Sequence, residues 1–221
     1  MPWKGYFDII NRANEFILLD DVPYSKGDWR NRNLIKTPRG TEWLTIPVNK
    51  RGILQLPIKE VTVTDAAWRK KHWDKIVQHY HIAPYFDNYA DRFSRIYLDN
   101  QEEFLSKINC RFIKEVNDIL GITTKISLSS DHLPGHDRNS SLIDLCKACN
   151  ADHYLSGPSA AGYLDEALFN KEGIQVEWMD YSGYPEYNQL FPPFEHRVTI
   201  LDLLFNEGPH ATNYMKSFKK S

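Results

Sequence analysis

The chain has 221 residues, of which 42% are hydrophobic, 25% charged and 13% aromatic, with 6 Trp and 12 Tyr among the rings. A chain of this length buries roughly 70% of the surface its unfolded form exposes, so it needs no disulfide staples, and these proportions exclude a disordered polymer. The net charge of −2 argues against general nucleic-acid binding, no apolar run approaches the ~20 residues of a membrane span, and 3 Cys suit reduced thiols in the cytoplasm.

In chain order, Glu15-Phe-Ile-Leu-Leu-Asp20 is a short apolar run ending in acid before a Pro-Tyr turn, the pattern of a buried strand feeding a loop. Trp43 to Val48 and Ile58 to Val63 alternate apolar and polar residues around turn signals at Gly40 and Gly52, which predicts two antiparallel strands. A helix is expected from about Ala66 to Tyr80. Two more are expected between Pro84 and Leu120, meeting near Asp99-Asn100, with Gly121 as C-cap. Then come a strand (Lys125 to Ser129), a loop (Asp131 to Arg138), a helix (Ser140 to Cys149), a strand (His153 to Ser156), a helix (Tyr163 to Phe169) and a strand (Ile174 to Tyr181). That alternation predicts a βαβ-type unit with parallel strands in the C-terminal half. A last helix is expected from Phe194 to Phe205, followed by a basic, frayed tail. No repeat or linker divides the chain, so residues 1–221 read as one α/β domain, a mixed sheet with flanking helices.

The chemistry concentrates between Asp20 and Arg39. From Asp21 to Arg51 seven basic residues (Lys26, Arg30, Arg32, Lys36, Arg39, Lys50, Arg51) face three acids, a local charge of +4 that leaves −6 for the remainder. Arg30 and Arg32 offer forked donors for phosphate or carboxylate, Lys26 a point charge, and Asp20 or Asp21 a base or a magnesium ligand. A row of solvated strand charges would look the same in one dimension. His72, one turn after Trp68, is either a buried hydrogen-bonded residue or a general base for an amine nucleophile. Ser156-Gly-Pro-Ser-Ala-Ala-Gly162, between a strand and a helix, is a tight turn or a loop whose amides approach a phosphate. Cys146 and Cys149 fall with Leu142 and Leu145 at helical spacing, which predicts core packing and no metal; His132 and His136 are a surface-loop pair.

The runs PWKGYFDII (from Pro2), LDDVPYSKGDWRNRN (from Leu19), TEWLTIPV (from Thr41), the His72-Trp73 pair with APYF from Ala83, YLSGP (from Tyr154) with YLDE (from Tyr163), and LDLLFNEGP (from Leu201) together resemble the WbqC-like family over nearly the whole chain. The resemblance implies a bacterial protein of O-antigen and surface-polysaccharide gene clusters, with Asp20, Asp21, Lys26, Asn31, Arg32, His72, Ser156 and Gly157 at the family's polar motif positions. Two departures bear on it: Met1 stands where relatives carry Leu after a first strand, so that strand is expected to be missing, and Ala160-Ala161-Gly162 replaces a loop that often carries Lys.

The function expected from these readings is transfer of an acyl or aminoacyl group to an amino sugar on a nucleotide carrier. Asp21 and His72 are the catalytic candidates, and Asp20, Lys26, Arg30, Asn31, Arg32, Ser156 and Gly157 hold an anionic substrate. No cofactor is written in the sequence, a divalent metal stays open, and oligomeric state is not legible. The rival readings are an enzyme acting on another phosphorylated acceptor, such as a modified nucleotide or DNA base, and a non-catalytic scaffold of a glycan-assembly complex.

Overall fold

The computed structural model describes residues 1–49, 52–99, 101–132 and 137–218. Its α-helices are α1 (Lys4–Arg12), α2 (Trp68–Tyr80), α3 (Phe86–Leu98), α4 (Leu105–Leu120), α5 (Arg138–Ala148), α6 (Glu166–Lys171) and α7 (Ile200–Glu207). Its strands are β1 (Glu15–Leu18), β2 (Arg32–Thr37), β3 (Gly40–Thr45), β4 (Lys125–Leu128), β5 (His153–Ser156) and β6 (Gln175–Trp178). The α/β class is as expected, but the strands form three two-stranded ladders: β1 with β4 parallel, β2 with β3 antiparallel, β5 with β6 parallel. The parallel β5–α6–β6 crossover is the expected βαβ unit.

Most helix boundaries follow from local chemistry. Gly121 ends α4 in the left-handed region at φ 72, where a β-carbon is disfavoured, and its N–H caps the carbonyls of Asn117 and Asp118. Asp137 and Asp165 cap α5 and α6 with their carboxylates. The expected helix from Tyr163 therefore starts at Glu166, because Pro158–Gly162 first makes a 3-10 turn. Ile58 to Val63 is not a strand: Ile58–Glu60 is a 3-10 turn, and the segment's antiparallel contacts shrink to isolated bridges from Val63 to Val48 and Thr62 to Phe104. The last helix begins at Ile200 rather than Phe194, once Thr199 has bonded Leu34 and Ile200 has bonded Pro2 through their backbones.

The main core packs Phe7 and Ile10 of α1, Ile35 and Leu44 of the hairpin, Trp68, Ile76 and Tyr80 of α2, and the apolar faces of α3, α4 and α7. A smaller core holds Leu142, Ile143, Cys146, Leu164, Phe169 and Ile174 under the β5–β6 ladder. The expected frayed tail is instead anchored. Asp8, fully buried, accepts hydrogen bonds from the backbone N–H groups of Lys216 (3.0 Å) and Ser217 (2.8 Å) and from the Tyr184 hydroxyl, and Met215 is fully buried. A buried carboxylate surrounded by donors fixes the segment more firmly than its polar composition suggests.

Candidate anion site

Arg30 and Arg32 enter the β2–β3 hairpin from the loop that follows β1. Arg32 is the first residue of β2, paired with Thr45, while Arg30 stands just outside the ladder. Both guanidiniums fold back over the Ser25 to Asp28 turn. Arg30 pairs with the Asp28 carboxylate and donates to Ser25 Oγ (2.5 Å); Arg32 Nη2 donates to the Gly27 carbonyl (2.5 Å), a position reached because Gly27 takes φ 78. The Arg32 guanidinium also lies 4.3 Å from the centre of the Trp43 ring, and Trp43 is itself 5.5 Å from Trp29. Both tryptophans are exposed. Among the described residues the Arg32 Nε has no hydrogen-bond partner although it is buried, an unusual expense for a charged group.

That nitrogen belongs to a residue lining a small inner cavity of about 20 Å³, room for roughly one water. Arg30, Asn31, Arg32, Asn33, His72 and Asn109 bring its polar lining, and Trp68, Tyr97 and Phe112 the apolar walls. The polar groups are mostly committed: Asn31 Nδ2 donates to the Ile46 carbonyl (3.0 Å), and Asn109 Nδ2 donates to the Arg30 carbonyl (2.8 Å). The His72 ring sits edge-on to Trp68 and donates Nε2–H to the Thr45 carbonyl (3.1 Å), since a carbonyl can only accept. Burial pushes its pKa down to about 4, so the ring is neutral near pH 7 and a much weaker base than its residue type suggests. Of the two readings the sequence left open for His72, the burial and the Thr45 bond favour the hydrogen-bonded one.

Other expected site residues lie elsewhere. Asp20 is buried and accepts from the Ser130 N–H (3.0 Å) and Ser130 Oγ (2.9 Å), while Asp21 accepts from Ser129 Oγ. The two acids thus tie the end of β1 to the turn after β4. Asp21 does not line the cavity that His72 lines. Lys26 is exposed on the loop. Ser156 is buried at the end of β5, with its hydroxyl 3.5 Å from the Gly157 carbonyl, and Gly157 has an ordinary φ of −74. The helix amides beyond this loop are filled by Asp165, whose side chain accepts from Ala167 and Leu168, so they offer nothing to a phosphate.

The basic band disperses in three dimensions. Lys36 is buried with its ammonium on the Pro193 carbonyl, and Arg39 lies at the hairpin turn, five or more residues and about 17 Å along the strands from Arg32. Lys50 and Arg51 lie outside the described residues, as does His136. Among the described residues, Arg30 and Arg32 stay together over the Ser25 to Asp28 turn, and the exposed Lys26 belongs to that same turn.

The sequence profile of the WbqC-like protein family matches residues 1–214. The chain belongs to that family. It is also 42% identical over 216 residues to a Mycobacterium tuberculosis protein named Uncharacterized protein Rv1507c, which covers 98% of this chain and 94% of that one. No solved structure matches the chain. Among the described residues no helix is long and apolar enough to cross a membrane.

The WbqC-like motifs at the two chain ends meet in a buried polar network that residue-type reasoning passed over. Asp202 of α7 accepts from Tyr80 (2.8 Å), Tyr187 (2.7 Å) and Gln189 (2.9 Å), and burial raises its pKa. Lys4 of α1 donates to the Pro185 carbonyl (3.1 Å) beneath the rings of Tyr184 (5.0 Å) and Tyr187 (5.2 Å), and burial lowers its pKa to about 8. The signal was present in PWKGYFDII and LDLLFNEGP, each of which sets a charge inside an apolar run.

Proposed function

We propose that this WbqC-like protein is a cytoplasmic transferase of bacterial surface-polysaccharide biosynthesis that moves an acyl or aminoacyl group onto the amine of a nucleotide-linked sugar. The observation that carries the reading is Arg32, a guanidinium 4.3 Å from the centre of the Trp43 ring with its Nε buried and unpartnered beside a polar cavity. A planar fork held by a ring suits a phosphate, which it can grip bidentately. The exposed rings of Trp29 and Trp43 suit stacking of a base or sugar next to that phosphate. Arg30 reaches a second anionic group when Asp28 gives way, and Lys26 adds a point charge from the same loop. The remaining candidate for proton removal from the attacking amine is Asp21, which lies on the loop that carries the arginines but outside the cavity; the His72 ring is too weakly basic and holds the cavity wall through Thr45. The dispersal of the basic band favours one small anionic ligand over a nucleic-acid backbone, which needs a continuous track.

The test incubates the chain with a nucleotide-linked amino sugar and a panel of acyl and aminoacyl donors while the mass of the acceptor is followed. The reading expects saturable binding of the nucleotide-sugar and a donor-dependent mass increase. Neither binding nor transfer with any donor would favour the scaffold reading.

A further inference from the structure

Three side chains far apart in sequence converge beside the β1–β4 ladder. Glu15 opens β1, His132 follows the turn after β4, and Cys149 is the C-cap of α5. A carboxylate oxygen, an imidazole nitrogen and the thiol sulfur lie within 4.8 Å of one another, all three residues half-buried. The His132 Nε2 is buried and has no hydrogen-bond partner among the described residues, a cost that a ligand would remove. Glu15 is pre-oriented: Ser127 Oγ donates to its Oε1 (2.7 Å), and the largely exposed Lys125 ammonium lies 3.1 Å away. The Cys149 thiol sulfur lies beside the same carboxylate, within 4.8 Å.

We propose that Glu15, His132 and Cys149 bind one divalent transition-metal ion of the zinc class, with a fourth position left to water or a substrate atom. The donor set selects the ion. A thiolate and an imidazole disfavour magnesium and calcium, which take oxygen ligands, and a mixed sulfur, nitrogen and oxygen set with three protein ligands is a common zinc arrangement. Tetrahedral zinc holds its ligands about 3.5 Å apart, so the three side chains close on the ion by moving about 1 Å. Ser127 takes the outer position that fixes a ligating carboxylate. Lys125 competes with the ion and leaves toward solvent. Cys146 takes no part despite the Cys-x-x-Cys spacing: it is buried in the smaller core with Phe169, whereas Cys149 is half-buried where the helix ends. The ion would tie β1 of the main core to α5 of the smaller one.

The test takes the full chain stripped with chelator and titrates it with zinc alone and cobalt alone. Wild type should take up one zinc per chain and, with cobalt, show a thiolate-to-metal charge-transfer absorption in the near ultraviolet. Cys149→Ser should abolish that absorption and weaken zinc about hundredfold or more, Ser127→Ala should weaken it about tenfold to hundredfold, and Cys146→Ser should change neither. Lys125→Ala should leave binding intact or tighten it. His132→Ala serves as the second ligand variant if Cys149→Ser fails to fold. The proposal is overturned by a wild type that takes up no zinc, by a charge-transfer absorption that survives Cys149→Ser, or by a zinc affinity unchanged in His132→Ala.

Discussion

His72 shows how far burial can move a side chain from the role its identity suggests. Its folded pKa of about 4 lies below the ordinary 6.5, so the unfolded chain binds the extra proton first as pH falls. The stability it contributes is therefore complete above about pH 6.5 and is lost as pH falls toward 4, with a limit on the order of 3 kcal/mol. Denaturant melts of wild type and His72→Gln across that range check this: the variant should show the shallower slope, and parallel slopes would assign the acid sensitivity to other groups. Arg30 carries a second residue-scale expectation, because its partner Asp28 occupies the place of an incoming anion. A half-exposed ion pair is worth about 1 kcal/mol or less, so Asp28→Asn should tighten nucleotide-sugar binding by up to about fivefold in a calorimetric titration. Weaker binding would mean that Asp28 orders the site rather than screening it. At this scale the sequence made Arg32 legible, through a forked cation two residues after another. It could not reveal which of seven basic residues stay together, because Lys36 turns inward to Pro193 and Arg39 rides to the far end of the hairpin.

Among the elements, α2 to α4 were the readable part, whereas α1 was not foreseen. Gly121, Pro84 and the spacing of Trp68, His72 and Ile76 mark α2 to α4 directly. The β2 strand was hidden because Arg32-Asn-Leu-Ile-Lys-Thr37 buries Asn33 and Lys36 alongside Ile35, which erases the alternation that identifies a half-buried strand. Ile58 to Val63 did alternate, but it turns at Glu60 and meets α4 rather than a neighbouring strand, an outcome set by tertiary contacts. Two junctions should be sensitive. Gly208 ends α7 at φ 54, and a β-carbon there would lie 2.3 Å from Tyr85 Cδ1, so Gly208→Ala should cost at least about 1–3 kcal/mol in thermal or denaturant unfolding. A neutral outcome would show that the Tyr85 ring has somewhere else to go. Asp8→Asn weakens the charge-assisted bonds that hold the C-terminal segment, and should lower stability by more than about 2 kcal/mol while speeding amide exchange at Lys216 and Ser217. Unchanged exchange there would mean the segment is held by its other anchors, Met215 in the core and the Lys216 ammonium on Asp180.

The whole molecule joins a larger core, crossed by the two chain-end motifs, to a smaller one under the β5–β6 ladder. The WbqC-like signature spans both, and much of it reads as architecture: Lys4, Asp8 and Asp202 are buried and bonded, and Asp20 ties a strand to a turn. The proposed anion site lies on the surface where the loop after β1 meets the hairpin. There an arginine on an exposed tryptophan faces a polar cavity, and the central claim is that this arginine holds the anionic part of a ligand. The most direct test is calorimetric titration of a nucleotide-linked amino sugar into wild type, Arg32→Lys and Arg32→Ala. Each charge-assisted contact is worth roughly 1.5–3 kcal/mol, so Arg32→Ala should weaken binding about tenfold to hundredfold. Arg32→Lys should lose much of the same affinity, because an ammonium cannot reproduce the fork. Equal affinities across all three proteins would contradict the account and reduce the Ser25 to Arg32 segment to a charged loop.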